Sequence, residues 1–314
     1  AGAREGRVMS LEGGRAASAM PPGAPRRTRR RNSLTPYLFL SPFFALFALF
    51  WIYPIAYSFY LSFVNTRRRP WTFSWSFNWD RLIHDPFFWK ALGNTLTILV
   101  VQVPVMLVLA VALAIAFNSD LLRLKGFFRF AFFAPLVLGA VPYSAVFRLI
   151  FNTEFGVLNY GLHVFGLAPV EWLSQGVPAL ATVMIAITWR WSGYNAIILL
   201  SGLQSIPLSL YEAARIDGAS GWQQFLRVTL PLLRPVLLFC FVLSTIGTLQ
   251  LFTEPWLITS TGPGGATETL ITYLYKQGFR SFNFGYASAI AYTVALIAAV
   301  FSFVQIRVVG GREA

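Results

Sequence analysis

The residues best placed to do chemistry in this 314-residue chain fall into two groups. The first is a polar stretch, residues 204–231 (QSIPLSLYEAARIDGASGWQQFLRVTLP), in which Ser209 and Glu212 stand three apart, as do Ser220 and Gln223. At that spacing a hydroxyl and a carboxylate or amide each accept a backbone N–H at a helix start. Two short helices are therefore expected, parted by Gly218 in the left-handed conformation that ends a helix, with the second running to Pro231. Ala213 and Ala214 would let another surface approach the backbone closely. Such an elbow either docks a partner or serves as an amphipathic connector at a membrane interface.

The second group is polar and lies inside long apolar runs: Arg190, Ser192, Tyr194 and Asn195 in one, and Ser244, Thr245, Thr248, Gln250, Thr253 and Glu254 in another. Trp189, Trp191, Phe252 and Trp256 accompany them. Polar groups in such runs line a solute path or tie helices together. Neutral hydrogen-bonding groups beside rings suit sugars, which present hydroxyls at their edges and C–H faces to aromatic planes. The candidate pathway residues are Arg190, Asn195, Thr248, Gln250, Phe252 and Glu254.

Other chemistries find little support. His84 and His163 fall in separate loops without companion ligands, so no metal site is expected. The single cysteine, Cys240, lies in an apolar run and excludes an intrachain disulfide. There is no G-x-x-x-x-G-K-[ST] phosphate loop, and the glycines at 262–265 lack a following lysine. No nucleophile–base cluster marks an enzyme, so no catalytic residues are expected.

The elements that must position these groups follow from composition. The chain is 56% hydrophobic and 12% charged, about half the charged content of a soluble domain. A bilayer core needs roughly 20 apolar residues in a helix, and six segments qualify: about 37–63, 92–117, 127–151, 178–203, 233–258 and 284–307. Pro54, Pro104, Pro135 and Pro142 are tolerable in such helices where neighbours satisfy the freed backbone. Small residues four apart, Ala110 with Ala114 and Ala291 with Ala295, permit close helix approach. The expectation is an all-α membrane protein with six transmembrane helices over 37–310, preceded by a disordered basic tail over 1–36.

The net charge of +13 does not point to nucleic acid, because its distribution is that of a membrane protein. Eight of the 25 basic residues lie in the first 31 positions, where they could hold anionic lipid. Most others flank apolar runs. Outside the tail the two faces are nearly level in Lys and Arg. The tail favours a cytoplasmic N-terminus, and six spans would place the C-terminus on the same side.

Glu212-Ala213-Ala214, three residues, Gly218, nine residues and Val228-Thr229-Leu230-Pro231 together resemble the EAA loop of binding-protein-dependent ABC importer permeases. The family pattern is EAA-x3-G-x9-I-x-L-P, with valine here for isoleucine. The surroundings, Leu203–Pro207 and Ala213–Ala219, are similar to the carbohydrate branch with its maltose- and glycerol-3-phosphate-type members. Asp85–Trp89, Asn94-Thr95, Thr267–Leu270 and Phe284–Ala289 extend the likeness over nearly all of 37–307. Thr261-Gly262-Pro263-Gly264-Gly265 departs from the family's Gly-Gly-Pro run, which puts a binding-protein contact there in doubt.

The resemblance implies a type I importer permease bundle whose loop 204–231 is a cytoplasmic coupling helix. Glu212, Ala213, Ala214, Asp217 and Gly218 would seat it in an ATPase subunit. It implies a second homologous permease subunit, dimeric cytoplasmic ATPase subunits, an extracellular solute-binding protein and a prokaryotic plasma membrane. ATP and Mg would be used by the partner ATPase, with no cofactor bound by this chain. The implied solute is a sugar, an oligosaccharide ahead of glycerol 3-phosphate. A stand-alone secondary transporter or channel is the rival, in which 204–231 would be only a connector.

Overall fold

The computed structural model describes residues 35–67 and 69–310. The basic tail expected over 1–36 thus lies, up to residue 34, outside the described residues. The chain divides into two compact units, residues 1–53 and 54–314. In the first, helix α1 (Thr35–Phe47) passes into a π turn at Ala48–Ile52. Every side chain from Tyr37 to Tyr53 is exposed. A helix apolar on all sides reads as a membrane span.

The second unit holds all of α2 (Tyr53–Ser62) but its first residue, a small hairpin, and the rest of the bundle. Strands β1 (Val64–Asn65) and β2 (Thr72–Phe73) pair antiparallel, with Val64 opposite Phe73. Then come α3 (Phe77–His84), α4 (Pro86–Asn118), α5 (Lys125–Val137), α6 (Ala140–Ile150), α7 (Val157–Val164) and α8 (Gly176–Gln204). The elbow carries α9 (Leu208–Ile216) and α10 (Gly221–Gln224), followed by α11 (Leu230–Leu249), α12 (Thr253–Leu257), α13 (Leu270–Tyr275) and α14 (Phe284–Gln305). Apart from the hairpin the described residues are helical or irregular.

Five stretches are long and apolar enough to cross a membrane: Tyr37–Ser62, Pro86–Asn118, Gly176–Gln204, Gly221–Leu257 and Phe284–Val308. A sixth crossing exists only if α5 and α6, bent by 101°, count as one. The span expected over 127–151 is therefore two helices with a break between them. Leu138 and Gly139 are extended, because the Pro142 ring would strike the Leu138 carbonyl in a continuous helix. Helix α4 begins at Pro86 rather than 92, since Asp85 accepts the Phe87 N–H at 3.0 Å and proline suits the first helical position.

The core is organised around α4 and α8. Near the end of α4, Ala110, Ala114 and Phe117 pack with Ala196, Leu199, Leu203, Leu233 and Cys240. Near its start, Phe88 and Ala91 pack with Leu270, Tyr273, Tyr286, Ala289 and Ile290. The second small pair behaves differently: Ala291 and Ala295 are exposed, and the small residues α14 buries are Gly285, Ala287, Ser288 and Ala289. Closest of all is Gly193 on α8, where an added Cβ would collide with the Phe132 carbonyl of α5. Gly193→Ala is expected to cost about 1–3 kcal/mol through overpacking, read as a lowered melting temperature of the purified protein in detergent.

Candidate functional site

The elbow is built by local hydrogen bonds. Helix α9 starts directly after Pro207 with no side-chain cap, so the box expected from Ser209 and Glu212 is not formed. Ser209 already lies inside the helix, two residues past the cap position at Pro207. At the other end, Gly218 sits at φ +77°. Its N–H donates to the Arg215 carbonyl at 3.0 Å, and the Ala219 N–H to the Ala214 carbonyl at 2.9 Å. These two bonds make a Schellman closure.

Ser220 then caps α10: its hydroxyl accepts the Gln223 N–H at 3.3 Å, and Gln223 Oε1 accepts the Ser220 N–H at 2.8 Å. This second helix does not stop at Pro231. It passes through a π turn at Phe225–Thr229 into α11, and Pro231 follows that turn as the second residue of α11.

One tie escaped the sequence reading. The Tyr211 and Thr229 hydroxyls meet at 2.9 Å and lock α9 to the root of α11. Glu212, Ala213, Asp217 and Gly218 are exposed along the elbow, with Ala214 half-buried. Tyr211, Arg215 and Trp222 share a groove with Ile115, Asn118 and Ser119, so the elbow lies at the C-terminal end of α4.

Deeper in the bundle, Arg190, Asn195, Thr248, Gln250, Phe252 and Glu254 all line one cavity of about 300 Å³. Two break points bring them together. Helix α11 ends at Leu249 and α12 starts at Thr253, leaving Gln250–Phe252 free of the helix. The carbonyl of Leu251 is recovered by the Thr269 hydroxyl at 2.6 Å. Gln250 is exposed to the cavity, and Phe252 stacks on Trp256 at 5.5 Å.

Glu254 is buried and accepts a hydrogen bond from Tyr143, over whose ring the Arg190 guanidinium sits at 4.5 Å. Arg190 Nη1 is buried without a hydrogen-bond partner. Helix α4 adds Gln102 and Met106, which the sequence reading missed because both sit in an uninterrupted apolar run. Asn195 Nδ2 donates to the Trp191 carbonyl at 3.0 Å and approaches Met106 Sδ at 3.7 Å.

Of the other polar residues in these runs, Thr245 accepts from Gln305 Nε2 at 2.6 Å and ties α11 to α14, while Ser192 bonds back to the Thr188 carbonyl. Both hold structure rather than line the cavity. Among the described residues no group of three His, Cys, Asp or Glu comes together. The cavity therefore offers one cation, one carboxylate, several neutral hydrogen-bonding groups and aromatic walls.

At the start of α4, Asp85 Oδ2 accepts from the Tyr286 hydroxyl at 2.5 Å and from that of Tyr273. Burial pushes its carboxyl up, but these bonds and the Phe87 and Phe88 N–H groups outweigh that and hold it below its ordinary value. A depressed carboxylate contributes stability that is complete above its unfolded value and lost as pH falls through the folded one. The melting temperature should accordingly hold from neutral pH to about 5 and fall as pH drops below about 4. Asp85→Asn should lower it at neutral pH and flatten that dependence.

The family described as binding-protein-dependent transport system inner membrane component matches residues 83–309. The lactose transport system permease protein of Rhizobium radiobacter is 43% identical over 289 residues, covering 88% of this chain and 97% of the relative. The arabinooligosaccharides transport system permease protein of Bacillus subtilis (strain 168) is 35% identical over 281 residues, covering 88% of each. A crystal structure of a bacterial ABC transporter involved in the import of alginate superposes with a TM-score of 0.77 at 23% identity, covering 89% of this chain and 96% of the other. That last likeness speaks for the fold.

Proposed function

The chain belongs to the binding-protein-dependent transport system inner membrane components, multi-pass permeases of ABC importers, and from that premise we propose that it forms half of a pathway for an oligosaccharide. The observation that carries the sugar reading is the single cavity lined by Arg190, Asn195, Thr248, Gln250, Phe252 and Glu254. Its neutral donors and acceptors match hydroxyls, and Phe252 and Trp191 offer planes for C–H faces. A phosphate ester would meet Glu254 beside the one cation, which disfavours glycerol 3-phosphate. The names of the lactose and arabinooligosaccharide relatives support the same class.

In this reading the elbow faces the cytoplasm, as do both termini. Glu212, Ala213, Ala214, Asp217 and Gly218 seat it on an ATPase dimer that uses ATP and Mg. A second homologous permease closes the other half of the path. An extracytoplasmic binding protein delivers the solute. The test is uptake into proteoliposomes holding the four components, screened with lactose, arabinose oligosaccharides and glycerol 3-phosphate. ATP-dependent accumulation of a saccharide supports the proposal, and accumulation of glycerol 3-phosphate alone overturns the substrate class.

A further inference from the structure

A polar groove of about 630 Å³ opens where the β1–β2 hairpin meets the junction of α13 and α14. Three guanidinium groups line it, from Arg67 and Arg69 in the hairpin loop and Arg81 on α3, and Trp71 and Asn283 stand beside them. None of its lining residues is acidic. The two ion pairs among the described residues, Lys125–Asp120 and Lys276–Glu268, involve none of these arginines. Asp85, which shares Tyr286 with Arg81, is already occupied by two tyrosine hydroxyls.

The floor of the groove is fixed. Arg81 lies 3.9 Å from the Tyr286 ring centroid and donates to Gln277 Oε1 at 3.4 Å, while its Nη1 is buried without a hydrogen-bond partner. The Asn283 N–H donates to the Gln277 carbonyl at 2.8 Å, and Thr66 Oγ1 accepts the Gly285 N–H at 3.0 Å. Arg67 and Arg69 stand exposed on the rim. Arg67 and Arg69 make no ion pair among the described residues, and with Arg81 they leave the groove basic; the planar fork of a guanidinium fits a carboxylate through paired hydrogen bonds.

The position of the groove identifies the anion's bearer. The hairpin meets α3 and α14, and α13 and α14 pack on the start of α4, where Lys90 and Asn94 also bond to Gly264 and Gly265. The elbow meets its end. Helix α4 has 33 residues, about 50 Å of rise, so the groove and elbow lie on opposite sides of a bilayer. All three arginines sit in segments between candidate spans rather than within them.

We propose that this groove receives acidic side chains of the extracytoplasmic solute-binding protein. The proposal rests on the importer reading with a cytoplasmic elbow. Its test uses the complete importer in lipid nanodiscs, with ATP hydrolysis titrated against the importer's own purified, solute-loaded binding protein. The comparison is between the unmodified complex and Arg67→Gln/Arg69→Gln, two exposed rim residues whose loss leaves the fold and the cavity intact.

The half-saturating binding-protein concentration should rise about three- to tenfold, and the difference should shrink at high salt. Basal and saturated rates should stay unchanged. The same shift is expected in zwitterionic and anionic discs. An unchanged half-saturation overturns the proposal, and a shift seen only with anionic lipid assigns the groove to lipid headgroups instead. An unmodified complex that no binding protein stimulates overturns the importer reading, and the groove's role with it.

Discussion

Gly218→Asp and Glu212→Lys are expected to abolish ATP-driven uptake while the protein remains inserted in the membrane at normal levels. Gly218 is held at φ +77° by the Schellman closure, with nothing within 4 Å of where a Cβ would stand. An L-residue there costs roughly 1–2 kcal/mol, and Asp tolerates the region better than most, so the fold survives. What changes is the surface, since a carboxylate now projects from the turn meant to lie against the ATPase. Glu212 is exposed and pairs with no cation among the described residues, so reversing its charge disturbs nothing within this chain. Burying either wrong charge at the seat should cost about 2–5 kcal/mol of binding, some thirtyfold or more in affinity. Co-purification of the ATPase with each variant, beside membrane levels and uptake, checks this. Normal uptake by both variants would contradict the coupling role.

The second large effect separates pathway from coupling. Gln250→Leu and Phe252→Ala should each reduce uptake roughly five- to a hundredfold, the range for a lost or unpaired polar contact in a closed site. Binding-protein-stimulated ATP hydrolysis should persist in both. Gln250 leaves the helix at the break before α12 and is exposed to the cavity, so its replacement by an isosteric apolar group removes a hydrogen-bonding partner without opening a void. Phe252 packs against Trp256 and Tyr275 at 5.5 and 5.1 Å, which hold the aromatic wall together after truncation. Coupling variants lose uptake and the ATPase together, whereas pathway variants lose uptake alone. Unaltered transport by both Gln250→Leu and Phe252→Ala would remove the cavity from the path.

Much of this was legible because the bilayer imposes strong rules. Long apolar runs read as helices, and the Gly218 and Ser220 signals of the elbow appear in the structure as a Schellman turn and a capping box. Three features were not legible. The 101° break between α5 and α6 depends on where Pro142 falls relative to Leu138, and a hydropathy window averages over it. The box at Ser209 failed because α9 starts after Pro207, two residues early. Gln102 and Met106 join the cavity wall because α4 packs along α8, a tertiary fact that one-dimensional polarity does not carry. The polar residues of α8 and α11 gathered around one cavity for the opposite reason. An apolar span has little other use for Arg190 or Glu254, whereas Ser192 and Thr245 bond locally or to a neighbouring helix.

The central claim is that this chain is a passive half-channel driven through its elbow by a separate ATPase. The most direct measurement is accumulation of a labelled oligosaccharide in proteoliposomes, with this chain and its partner permease present throughout and the ATPase, ATP and binding protein each omitted in turn. The account predicts accumulation only when all are present, and its collapse with Gly218→Asp. Uptake that continues without the ATPase, driven by an ion gradient, would contradict it.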